Sequence, residues 1–459
     1  MGQFELTRYQ VVTGAARANC SVIIRFLASK PLIPLAAWSS RLKRTVTGIA
    51  ALILGAIAIL SCGSSTPSTS STHTLSGFAF RAFVTNALLP SGGATEPVIQ
   101  IVDAEHDVLA TSPISLLSID PVMMVESPTL HYTMVFSATG NTIGIIDNQT
   151  EAVAANASGN VVPSILLPGS TESMLFSSDE THGYAAVPTA PIAGQPPGAV
   201  IAFSISTGQI TATIPIPSAH YIAEPSGSNN ILVFSDASDT VTVINTAALG
   251  TQNSPVSYVT GFDRPVGAVF SNPSSAYILN CGAECGGTAA SVSTLKIGSS
   301  TAGTTIPVAG ATTALLGQNV LYVAGSPPGK LCGSASSATT CGVLTLLNTN
   351  TNAIAGTATI TDGYHTRMQM SQNGQLYIGS RTCSAGCLSI FNTVNSNVIF
   401  PTLTGDVTGM QEITGRNIVY LCEGGLFRIF DTTTDQILVQ NTSFPLIIVG
   451  DATDVKLVD

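Results

Sequence analysis

Apolar and polar positions alternate in short runs along most of this chain, and the runs come in pairs. An apolar segment, a polar loop and a second apolar segment, usually closing on Asp or Asn, recur eight times. The first segments lie at 82–86, 132–138, 183–189, 231–236, 276–280, 321–325, 376–380 and 419–422. The second lie at 98–103, 142–147, 199–204, 241–245, 292–297, 343–348, 388–392 and 426–431. Successive copies begin about 43 to 55 residues apart, the period of a propeller blade rather than of a helical solenoid. A terminal Asp or Asn suits a tight turn into an outer strand, because its side chain can bond the following backbone.

An inner strand should precede each pair, and most are readable, for example at 173–176, 264–270, 366–370 and 410–413. The first copy has none before it, whereas a strand-like segment at 451–458 follows the eighth. The pattern predicts an all-β fold: a single β-propeller of eight four-stranded blades, closed by the C-terminal strand. Seven blades is the alternative if one copy is degenerate. Closure of this kind leaves no open sheet edge between first and last blade.

Composition fits an exported all-β protein. Of 459 residues 45% are hydrophobic and only 9% charged, with 42 Gly and 25 Pro. The leader holds one acidic residue, Glu5, and seven of the Lys and Arg, so 25 acidic and 9 basic residues follow Cys62. That balance of −16 repels phosphate backbones and argues against nucleic-acid binding.

The N-terminal part divides into an extension (1–44), an export signal (45–62) and a Ser/Thr-rich tether (63–77), ahead of the propeller at 78–459. The apolar run follows Arg41, Lys43 and Arg44 and ends at Ser61-Cys62, which reads as an export signal. Ile59-Leu60-Ser61-Cys62 resembles a bacterial lipoprotein signal, which implies lipidation of Cys62; an uncleaved anchor and an ordinary cleaved signal are the alternatives. The expected location is the cell envelope, in the periplasm or on the outer surface, with membrane contact only through that lipid or anchor.

Residues 264–280 run from Pro265-Val266-Gly267 through a Ser/Asn/Pro turn to Tyr277-Ile278-Leu279-Asn280, and Val292-Ser293-Thr294-Leu295 follows. Phe83-Val84-Thr85-Asn86 and the segment 372–380 echo the pattern. This resembles the YVTN family of β-propeller repeats across about residues 78–459. The resemblance implies the fold and an exported bacterial protein, and much less about activity.

Cysteines fall in pairs, each in the loop between the two segments of one copy: Cys281 and Cys285, Cys332 and Cys341, Cys383 and Cys387. A hairpin brings such positions together, so three local disulfides are expected, each worth about 2–3 kcal/mol. Metal binding by these thiols is the alternative, although the spacing is not that of a zinc knuckle and no metal site is assigned. Cys422 has no partner in its copy and reads as a buried free thiol.

Candidate chemistry gathers beside the inner strands: Glu126, His220, Tyr221, Glu224, Asp263, Arg264, Tyr364, His365, Arg367, Gln411 and Glu412. His365 and Arg367 should share a strand face with Thr366 turned away. The single Trp, Trp38, precedes the propeller, and calcium loops, metal-ligand spacings and nucleophile elbows are missing from the sequence, so no cofactor is assigned. The expected function is a monomeric binding or scaffold module for a protein or glycan partner. The competing expectation is a lactonase-like hydrolase or lyase using His220, His365, Arg367 and Glu412 at the channel mouth.

Overall fold

Both faces of the middle strands are buried, which is why these segments read as nearly unbroken apolar runs. In the strand Asn230–Ser235, Leu232 and Phe234 pack toward the blade that follows, and Ile231 and Val233 toward the one before. Burying a side chain such as Phe234 contributes about 2–3 kcal/mol. The computed structural model describes residues 74–459 apart from 88–96, 117–119, 252–253, 328–340, 385, 403–404, 439–445, 447 and 449. The leader, Cys62 and the start of the tether lie outside the described residues, as does Cys332.

Eight antiparallel sheets form, each four strands deep, with the outer position in two of them taken by two short strands. Each first segment of the sequence pattern is the second strand of a blade. Blades 1 to 8 are numbered by those strands: Arg81–Asn86, Tyr132–Ser137, His182–Val187, Asn230–Ser235, Ser275–Asn280, Val320–Gly325, Gln375–Arg381 and Ile418–Glu423. Eight apolar clusters hold the ring, one between each pair of neighbouring blades. Stability therefore resides in the contacts between blades as much as within any one of them.

The ring closes as the sequence predicts. The strand Ala452–Leu457 pairs antiparallel with Arg81–Asn86 and supplies the inner strand of blade 1. Its Asp454 is buried and accepts a hydrogen bond from the Met124 N–H of blade 2 at 2.8 Å. Ion pairs brace both flanks of blade 1. Arg416 of blade 8 reaches both oxygens of Asp107 at 2.8 and 2.7 Å, with the Tyr420 hydroxyl also donating to that carboxylate. On the other side Arg81 meets Glu151 of blade 2 at 3.0 Å and the side chain of Asp459. Gly409 in blade 8 lies so close to the closing strand that a Cβ there would sit 2.7 Å from the Asp454 Cα.

One irregularity recurs. Six inner strands break register by a residue near their start, in blades 1, 2, 4, 5, 7 and 8. The residues within the breaks include Thr453, Val122, His220, Val266, Thr366 and Thr408. A bulge leaves its extra residue unpaired and re-aims the side chains around it. Here it happens at the same level of every affected blade, at one end of the channel.

Candidate functional site

The starting ends of the inner strands surround a cavity of about 560 Å³, and the bulge residues Thr453, Val122, Val266, Thr366 and Thr408 are part of its wall. A second cavity of about 420 Å³ adjoins it and contains His220, the bulge residue of blade 4. Glu172, Tyr221, Val266 and Tyr364 border both. Together they form the mouth of the channel.

Charged groups cross this mouth in a line. His220 Nδ1 lies 2.7 Å from Asp236 Oδ1, its Nε2 lies 3.8 Å from Glu172, and Glu172 lies 3.9 Å from Arg381. The imidazole stacks on Tyr221 with ring centroids 4.1 Å apart. Burial alone would depress the His220 pKa, but the two flanking carboxylates outweigh it and hold the ring above its ordinary value. Glu172 is held below the usual carboxylate range, first by His220 and then, against the effect of burial, by Arg381 and Arg367. Burial pushes the Tyr221 phenol up to about 12 and Tyr364 higher still, so both stay neutral donors at physiological pH. Arg367 lines the cavity with its Nε donating to the Thr408 carbonyl at 2.9 Å. Three donors beside the cavities are buried without a partner: Thr366 Oγ1, Arg381 Nε and Arg264 Nε.

The sequence candidates separate into four groups. His220, Tyr221, Arg264, Tyr364 and Arg367 meet at the mouth. His365 does not share a face with Arg367, because the register shifts between them and Thr366 is the residue left unpaired. That bulge turns His365 into the interior, where it is 0% exposed and burial lowers its pKa to about 4. Glu412 is also misplaced by the sequence reading. It lies four residues past Thr408, about 13 Å farther along a strand, toward the opposite end of the channel. Glu126 and Glu224 likewise sit at or just after the far ends of their inner strands, and Gln411 lies in the far half of its own. Asp263 is structural: it accepts from the N–H groups of Thr288 at 3.0 Å and Ala289 at 2.8 Å.

Glu172, Asp236, Arg381 and Asp406 were missed. Glu172 and Asp406 immediately precede inner strands, and Asp236 and Arg381 stand at the ends of the second strands of blades 4 and 7.

Cys281–Cys285 and Cys383–Cys387 form disulfides, with Cα atoms 5.6 and 5.5 Å apart. Cys341 is disulfide-bonded too, and its expected partner Cys332 lies outside the described residues. Cys285 borders the smaller cavity, so one of these loops shapes the mouth directly. Asp406 lies near Cys383 and Cys387, but the two sulfurs are bonded to each other and are not free thiolate ligands. Cys422 is free and buried, and burial raises its thiol pKa well above the ordinary value. Disulfides of this density fit an oxidising compartment. Among the described residues no helix is long and apolar enough to cross a membrane.

No family model and no curated protein matches the chain. Solved structures match its fold. Dihydro-heme d1 dehydrogenase NirN, in complex with DHE, is 10% identical with a TM-score of 0.57, over 78% of this chain and 72% of that one. The Dos1 propeller is 13% identical with a TM-score of 0.53, over 73% and 86%. At such identities the likeness concerns the fold alone, and one of the two is an enzyme, so shared architecture does not select a function.

Proposed function

We propose that this protein is an envelope-anchored binding module that takes a glycan at the mouth of its channel. The observation that carries the reading is the concavity of about 560 Å³ at the level of the inner-strand bulges, lined by polar and apolar side chains together. Its wall carries the hydroxyl side chains of Ser173, Thr312, Thr366, Thr408 and Thr453 with the rings of Tyr221 and Tyr364 beside them, and an apolar side formed by Val122, Met123 and Phe136. Such a wall suits a ligand with many hydroxyls and weakly apolar ring faces. Rigid blades hold the wall, so a ligand meets donors already in place and little ordering entropy opposes binding. The setting is part of the proposal: a leader at 45–62 directs export, Cys62 carries lipid, and the tether at 63–77 lifts a YVTN-like propeller off the membrane.

Calorimetric titration of the full-length protein with a panel of oligosaccharides tests the reading. At least one should bind, and Tyr221→Ala and Tyr364→Ala should each weaken it about tenfold. A folded protein that takes up no member of the panel overturns it. The mass of the mature N-terminal peptide reports separately on lipidation of Cys62.

A hydrolase or lyase is the second reading, favoured by the His220–Asp236 pair and its neutral phenolic neighbours. It has lost two of its four expected residues from the mouth, since His365 is buried and Glu412 lies toward the far end. Turnover of a lactone or uronate substrate that vanishes in His220→Ala would establish it.

A further inference from the structure

We infer that the glycan taken at the mouth carries a carboxylate, and that Arg367 and Arg381 hold it. The inference rests on the glycan reading above and adds the charge of the ligand.

The cations of the described residues are used very unequally. Arg81, Arg416, Arg428 and Lys456 all stand within 4 Å of carboxylates that are themselves buried or part of the ring seam. The two arginines of the larger cavity are set apart by facing open space; Arg428, like Arg381, has one contact near 4 Å and an unpartnered Nε, but it lies against the buried Glu423. Arg367 makes one hydrogen bond, from Nε to a backbone carbonyl, and no ion pair within 4 Å, which leaves its outer guanidinium donors unused. Arg381 has only the 3.9 Å contact with Glu172, and its buried Nε has no partner. The buried Thr366 hydroxyl on the same wall is also unpartnered. Buried donors without acceptors are costly, and a guanidinium fork matches a planar carboxylate in particular.

The acids on that wall are already engaged. Asp406 accepts from the Thr382 N–H at 2.7 Å, and Glu172 stands between His220 and Arg381. What the cavity offers an incoming molecule is therefore donors. Glu172 and Asp406 also set an upper limit on the ligand's charge, because a dianionic phosphate ester meets more repulsion from them than a carboxylate does. A carboxylate on a polyhydroxylated ring, as in a uronic acid, fits both the arginines and the hydroxyl wall.

The test compares oligomers of galacturonate, glucuronate and mannuronate with their methyl esters, titrated into the full-length protein at low and moderate salt. The free acid of at least one sugar should bind about tenfold to a hundredfold tighter than its ester, more so at low salt. In the Arg367→Gln/Arg381→Gln double variant that gap should close while binding of the ester persists, which also shows that the variant is folded. Equal binding of acid and ester overturns the inference and leaves the glycan reading standing. Binding of neither form, for any of the sugars, overturns the inference, and if the protein also takes up no neutral oligosaccharide of the panel the glycan reading falls with it.

Discussion

At the scale of single residues, two histidines illustrate how environment decides role. His220 sits between Asp236 and Glu172 and is held above its ordinary pKa. A raised folded-state value means the stabilisation is complete below the unfolded pKa, about 6.5, and is lost as pH rises through the folded one. Titration of the ring by NMR should place His220 above about 6.5, and Asp236→Asn should bring it down. An unchanged value in the variant would remove Asp236 as the cause. His365 behaves in the opposite sense. Its folded pKa is about 4, so the unfolded chain binds the extra proton as pH falls below about 6.5. Stability should decline in that window by up to about 3 kcal/mol, and His365→Leu should flatten the decline in urea titrations at pH 7 and 4.5. Ligand binding near neutral pH should be untouched by that substitution, since His365 has no access to the mouth.

At the scale of elements, the strands were legible and the bulges were not. Alternation and the terminal Asp or Asn located all sixteen middle strands to within about two residues, because burial on both faces writes itself into the sequence. A bulge adds one residue without disturbing composition, so a strict period of two placed His365 beside Arg367 when Thr366 separates their faces. The same insertion is what carries Thr366 and His220 to the mouth. The site residues His220, Tyr221, Arg264, Tyr364 and Arg367 were legible from their place beside the inner strands. His365 failed through a one-residue register, whereas Glu126, Glu224 and Glu412 failed because the pattern does not say which end of an inner strand faces the mouth. The disulfide loops are a second element-scale device at the mouth. In blade 7 the Cys383–Cys387 loop is also fixed by Asp362, which accepts from the Ser384 N–H at 3.1 Å. Cys383→Ser/Cys387→Ser should lower unfolding stability by about 2 kcal/mol, read in urea with the unmodified protein as control. A loss much below that would mean that Asp362 holds the loop without the covalent link.

For the whole molecule, the decisive feature is that the first and last strands of the propeller share a blade. Blade 1 takes its inner strand from the C-terminus, and the flanking ion pairs join it to blades 8 and 2. Every blade-to-blade cluster then depends on one closing strand, because a ring opened at a single seam is free to splay. Asp107 concentrates this dependence, being 2% exposed and held by both Arg416 and the Tyr420 hydroxyl. Asp107→Asn keeps a residue that tolerates the local positive φ of 56° but removes the charge opposite Arg416. It should cost about 3 kcal/mol, in the range found when one partner of a buried pair is lost. Removing the closing strand should do something qualitatively different. A chain ending at Gly450 exposes the full inner edge of Arg81–Asn86, with its unpaired N–H and C=O groups and its apolar neighbours. Such an edge recruits other chains, so the truncated protein should elute as oligomers or aggregate on size exclusion while Asp107→Asn stays monomeric. A truncated protein that remained a monomer with unchanged melting would place the ring's cohesion in the seven other interfaces, and the seam would be dispensable.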